Sequence, residues 1–390
     1  MKKQMSLLLL AAAPLALASC GGTSGVIPAG GSSVENATAT PKLQAAVENV
    51  GSDGAFGVKL SNFNLKATAD LNIPSAVLSL FGSGFTNTMV VGNSSMPEII
   101  SAKGSASVSN VSFAAGVTGL EETDLNNVKA SAKASADVAV DFHYVDTSLT
   151  YSQANIATAA YLANQNLYLD SSSAGLASAV KEIQSFVSSF NIPLGKYLLK
   201  SNVFSLTAGP LLNADAKAQL KSVASDVYTN ITTYSDYLKS YSYSDGRYFV
   251  GFDFSKADLV KFYNGVSAQM NSAMASYVPS STTSTAGLII NLLNVSSFKA
   301  GVVFTEKAFK GFAYDFDISL DTTLAKIAGQ INPGLESAIP SSYASLSEKA
   351  SFKASANFDF LNGSEVKVDL PSSFDGYTSV PSTSSSASSK

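Results

Sequence analysis

The chain has 390 residues and a formal net charge of −4, with 46% hydrophobic but only 14% charged residues. A mildly acidic balance argues against nucleic-acid binding, which calls for a basic face. One histidine and one cysteine cannot supply the ligands of a His/Cys metal site, and such a length can bury a large core.

Lys2 and Lys3 form a charged head, followed by an almost wholly apolar run from Ser6 to Ala18. That run is shorter than the roughly 20 residues a bilayer core demands, so it reads as an export signal rather than a permanent span. It closes on Leu17-Ala18-Ser19-Cys20, which resembles the bacterial lipobox. The resemblance implies diacylglyceryl transfer to Cys20, cleavage just before it, and two or three acyl chains, palmitate among them, on the mature N-terminus. One chain alone holds a membrane marginally, whereas two or three anchor stably. Residues 1–19 are therefore expected to be a signal peptide. The mature protein is expected on the extracytoplasmic face of the cell membrane, about −6 in charge once Lys2 and Lys3 are gone. Cys20 is the only cysteine, so no disulfide is expected.

Residues 20–41 are rich in Gly, Ser, Ala and Thr and read as a flexible tether. The Ser-rich residues 376–390 read as a disordered tail. Between them, 42–375 form a body with no obvious linker, either one domain or two closely packed halves. Strands are expected over 55–72, 101–118, 157–169, 247–254 and 298–305. The clearest lies at 128–144, where Val128 through Tyr144 alternate with Lys129, Ser131, Lys133, Asp141 and His143. A hairpin is expected to turn at Asn164 to Asn166. Another strand follows with Phe312, Tyr314, Phe316, Ile318 and Leu320 on one face. A last hairpin is read from Phe352, Phe358 and Phe360 through Asn362-Gly363 to Val366, Val368 and Leu370. Helical stripes interrupt this pattern at Leu176–Phe190, Leu220–Tyr234 and Leu259–Met274, the first stopping before Pro193 and the last before Pro279. Two shorter apolar stretches lie at 74–81 and 286–294. Blocks of strands and helices predict an α+β fold: a large curved antiparallel sheet, half-barrel-like, with helices on its concave face. Both halves read as strands, helix and strands again, so an internal duplication is possible.

The residues offer little reactive chemistry. His143 stands on the polar side of its strand near Asp141, and a Ser-His-Asp triad would need a buried carboxylate. No G-x-S-x-G elbow and no phosphate-cradling glycine loop with its lysine are present. Glu121, Glu122 and Asp124 could hold calcium loosely, but read more simply as a solvated turn. No catalytic residue, metal or cofactor is assigned. The remaining resource is apolar area, with Phe316 on the sheet and Met270 and Met274 on a lid-like helix as candidate ligand contacts.

The body resembles the LolA/LppX-type lipoprotein carriers through Phe358, Phe360, Asn362, Gly363, Val366, Val368, Leu370 and Pro371, and through "NLYLD" at 166–170 and "GRYFVGFDF" at 246–254. The resemblance implies an open half-barrel whose helical lid covers lipid or acyl chains. The expected function is thus non-enzymatic binding or carriage of a hydrophobic ligand by a membrane-anchored protein. The other expectation is a surface-exposed structural or adhesive lipoprotein with a filled core. Partners are then the membrane, through the lipid, and a hydrophobic ligand, without nucleic acid.

Overall fold

Alternating apolar and polar residues over long stretches demand strands with one wet face, and the computed structural model has them. It describes residues 31–49, 54–75, 98–144, 147–186, 192–205, 209–274, 290–331 and 333–380. The signal segment, Cys20, the apolar stretch 76–81 and the terminal run 381–390 lie outside the described residues. The strands are β1 (Ser32–Val34), β2 (Phe56–Pro74), β3 (Ile99–Thr118), β4 (Lys129–Tyr144), β5 (Thr147–Ala163), β6 (Asn166–Asp170) and β7 (Lys196–Lys200), then β8 (Lys239–Ser242), β9 (Tyr248–Asp253), β10 (Leu293–Phe304), β11 (Phe309–Thr323), β12 (Ser347–Asn362) and β13 (Thr378–Ser379). They form one sheet in the order β1-β8-β9-β10-β11-β12-β2-β3-β4-β5-β6-β7-β13. All pairs are antiparallel except β13 with β7, so the sheet is mixed. It makes a partial ring of strands rather than a closed barrel. Two meanders, β2 to β7 and β8 to β12, meet where β12 pairs with β2.

The register sorts side chains strictly by face. Leu65, Ala67, Ala69 and Leu71 of β2 align with Val108, Ala106, Gly104 and Ala102 of β3. Beyond them stand Val138, Val140, Phe142 and Tyr144 of β4. On the opposite face Asp321, Lys349, Asp70 and Lys103 form one row of alternating charge across four strands, which ends at His143 on β4. Lys103 approaches Asp70 at 3.1 Å and holds its carboxyl below the usual range. These exposed pairs stabilise little individually and serve to keep that face wet.

Two facing bulges interrupt the regular pleat. Asn110 in β3 and Asn155 in β5 take positive φ values of 50° and 54°. Asp137, on β4 between them, accepts from Asn110 Nδ2 at 2.6 Å and from Asn155 N–H at 2.7 Å. One carboxylate thus holds both irregularities, and such bulges bend and twist a sheet locally. The expected turn after β5 is also present: Asn164 and Gln165 both have positive φ, the two-residue geometry that matches strand twist.

Helices are α1 (Asn36–Glu48), α2 (Ala174–Phe186), α3 (Ala214–Thr232), α4 (Lys256–Met274), α5 (Leu324–Ile331), α6 (Pro333–Ala338) and α7 (Ser341–Ala344). The three expected stripes fall in α2, α3 and α4, except that Val187 and Phe190 of the first lie outside the described residues. The tether, however, is shorter than the composition implies. Residues 32–41 belong to β1 and α1, where Ala39, Leu43 and Ala46 are fully buried against Val250, Val302 and Phe304. Asn36 secures the start of α1 by donating to Leu238 O at 3.1 Å and accepting from Ser240 Oγ at 2.6 Å. A Ser/Thr/Ala-rich composition hid a helix whose small residues suit close packing.

The last expected hairpin is also corrected. Val366, Val368 and Leu370 form no strand; β12 pairs instead with β11 and β2. After β12 the chain crosses the polar face of the other meander as a strap. Val366 passes over Gly57 and Gly116, where a Cβ at Gly116 would lie 3.0 Å from Val366 Cγ1 and from Lys367 O. Asp369 N–H donates to Ser131 Oγ at 3.0 Å, and Phe374 stacks on Tyr168 at 4.0 Å between ring centres. Residues 376–380, expected in the tail, include β13 on β7. Gly116→Val is expected to lift the strap, seen as faster proteolysis within 366–380 than in the wild type; equal cleavage rates would show that the strap is not seated on Gly116.

Candidate functional site

Side-chain size varies systematically across the apolar face of β2 to β6. Val58, Ala115, Ala132, Ala160 and Leu169 stand in one cross-strand row, and Phe56, Val117, Ala130, Leu162 and Leu167 in the next. Large residues stand on β2 and at the β5–β6 end, with alanines between them. The result is an open trough of about 260 Å³ with a floor of strand backbone, including Gly57 and Gly116. Four inter-strand gaps of about 4.8 Å carry it roughly 19 Å across the sheet. The strap runs under this floor on the opposite face.

The apolar face continues beyond the trough without being fully covered. Phe142 and Leu149, directly opposed on β4 and β5, are 41% and 38% exposed, and Phe56 at the trough rim is 39% exposed. The same face on β9 to β12 is filled instead: Tyr314, Phe316, Ala354 and Ala356 are all buried in one cluster. The filled core thus extends from β9–β12 to Leu60 and Phe63 on β2, and the apolar surface lies beyond it on the other meander.

Phe316 belongs to the filled part. It is only 6% exposed, packed 4.7 Å from Phe298 and 5.4 Å from Tyr314 between ring centres, so it cannot line an open site. Met270 and Met274 fall in the last turns of α4, and their side chains lie outside the described residues. His143 Nε2 lies 3.3 Å from Asp141 Oδ1, but both are more than half exposed. A solvated carboxylate, also accepting from Thr150 Oγ1 at 2.8 Å, lacks the burial a triad requires. Glu121 pairs with Lys217, and Asp124 accepts from Asn126 N–H at 3.0 Å to cap a short turn. Among the described residues, no group of three or more His, Cys, Asp or Glu could hold a metal ion.

A second hollow of about 350 Å³ includes Lys59, Arg247, Lys310, Asp359 and Glu365 in its lining. Within it Lys310 lies 3.4 Å from Glu365, while Arg247 donates to Asp245 outside the lining and Asp359 accepts from Ser61 Oγ at 2.8 Å. The trough, by contrast, has no charged residue in its lining.

The sequence pattern placed Ala130 and Ala132 on one face of β4 but could not align them with Ala115 and Ala160. Only the register does that. A charged residue in phase with the apolar face was legible in principle: Glu348 alternates with Ala350 and Phe352 on β12, and it is 1% exposed. No family model, curated protein or solved structure matches the chain.

Proposed function

We propose that this chain is a lipid-anchored extracytoplasmic protein, non-enzymatic, that holds a hydrophobic ligand along the trough of β2 to β6. One observation carries the reading: the apolar face of this meander is left open as a shaped hollow while the neighbouring meander is filled. Burying contiguous apolar surface is favourable at about 25 cal/mol per Å², so an exposed strip of this kind marks a place where something binds. A floor of alanines and strand backbone between walls of larger apolar residues admits a slender aliphatic chain and offers no charged group to fix a bulky polar ligand. In this reading the partial ring is a half-barrel, the apolar side is its concave side, and the helices cover part of it. The two meanders are its related halves.

Anchoring and binding are tested separately. Cys20→Ser protein is expected to keep its signal segment and to take up no radiolabelled palmitate; processing and labelling equal to the wild type would refute the anchor. For the ligand, the full chain is titrated with a fluorescent long-chain fatty acid. Ala132→Trp fills the middle of the trough and is expected to weaken binding at least about tenfold, the worth of some 1.4 kcal/mol. Equal binding by Ala132→Trp and wild type would refute the trough as the site and favour a packed structural role.

A further inference from the structure

Among the described residues, Glu348 is the one acidic residue with a large, fully buried side chain. Its Oε2 accepts from Asn72 N–H at 2.8 Å, while Oε1 is buried with no hydrogen-bond partner among the described residues. It opposes Thr322 on β11, immediately beside the root of a helical lobe formed by α5, α6 and α7 between β11 and β12. The lobe has its own small core of Leu324, Ala328 and Ile339, joined by Tyr343 and Leu346. Leu324 N–H donates to Leu346 O, which closes the lobe at its foot. Tyr343 Oη reaches Glu98 at 2.7 Å, an exposed tie to the start of β3.

An ionised carboxylate in this position has one oxygen unsolvated and unpaired, which is among the costliest arrangements in a protein interior. The groups around it offer no cation in compensation. On β2, Asp70 repels the charged form; its own partner Lys103 on β3 lies across the sheet on the polar face. Lys349 beside it on β12 and Asp321 on β11 pair with each other on that same polar face. On the lobe, Lys326 and Glu336 are exposed. Glu98 is engaged by Tyr343. Burial accordingly pushes the Glu348 carboxyl up to about 7, with a smaller push from Asp70 and an opposing pull from the Asn72 N–H.

We propose that Glu348 is a proton-operated latch at the foot of the helical lobe. Neutral, it stays inside and the lobe stays seated; charged, it draws the start of β12 toward water and unseats the lobe. The latch stands on this buried carboxyl alone, whether or not the trough carries a ligand. Since Glu348 shares the apolar face with Ala350 and Phe352, an opened lobe would also uncover that face at its far end.

Hydrogen exchange of the full chain tests this, read in peptides covering 324–349 and corrected for intrinsic rate, from about pH 5.5 to about 8.5. A single proton controlling the opening predicts protection that falls by up to about tenfold per pH unit as pH rises toward about 7 and levels off above it, where the carboxyl is charged in both states. Glu348→Gln should abolish that slope while peptides of β10 keep their protection. Asp70→Asn removes the repelling charge and should move the levelling-off to lower pH and shrink the total loss of protection; because it leaves Glu348 in place, it decides the matter even if Glu348→Gln folds poorly. Protection that is flat with pH in the wild type, or a slope that survives Glu348→Gln, would overturn the latch.

Discussion

Against wild type, the Glu348→Gln protein is expected to become relatively more stable as pH rises from about 4 to about 8, by on the order of 3 kcal/mol. The sign follows from proton uptake. In the folded chain the carboxyl binds its proton up to about pH 7, whereas its ordinary value is 4.5. Between those values the folded state holds more protons than the unfolded one, so wild-type stability declines with rising pH. Below the lower value both states are neutral and the contribution is complete; above the upper value both are charged and the loss is complete. The amide cannot ionise and does not follow this course. Denaturant unfolding of both proteins across that pH range measures the difference directly. A constant gap would show that Glu348 is solvated in the folded protein.

Leu43→Ala should cost about 2–5 kcal/mol, the range for removing a leucine side chain from a closed core. Leu43 is fully buried, and its neighbours Val250, Val302 and Phe304 belong to β9 and β10, already fixed by sheet pairing and poorly able to collapse into the space. Phe142→Ala removes a larger side chain from the apolar face of β4, yet 41% of that residue is in water. Its cost should stay under about 1 kcal/mol by the ordinary range for exposed sites. The contrast separates the filled meander from the open one by denaturant midpoint alone. Equal losses would mean that the face of β4 is core, and a small loss at Leu43 would mean that α1 is only loosely docked.

Much of the sheet was legible because period-two patterning is a local property. The strand at 128–144 and the turn after β5 needed nothing beyond neighbouring residues to be found. What escaped depended on contacts distant in sequence. Helix α1 looked like linker because Thr38, Ala39 and Thr40 have the composition of one; its helicity is supported by packing against strands some 200 residues away. The strand expected at 366–370 has the right alternation, but β12 already pairs with β11 on one side and β2 on the other. Val366 therefore lies across Gly57 and Gly116 instead. The trough escaped for the same reason: four alanines on three strands become one floor only through register. Phe316 was read as a ligand contact on periodicity, which identifies a face without saying whether that face is filled.

The most direct measurement is native mass spectrometry of the protein extracted gently from the membrane fraction, followed by denaturation and analysis of what is released. The expected result is a non-covalent adduct carrying a long aliphatic chain, present in wild type and depleted in Ala132→Trp. A chain bearing only its covalent N-terminal lipid, with no releasable amphiphile in either protein, would contradict the account.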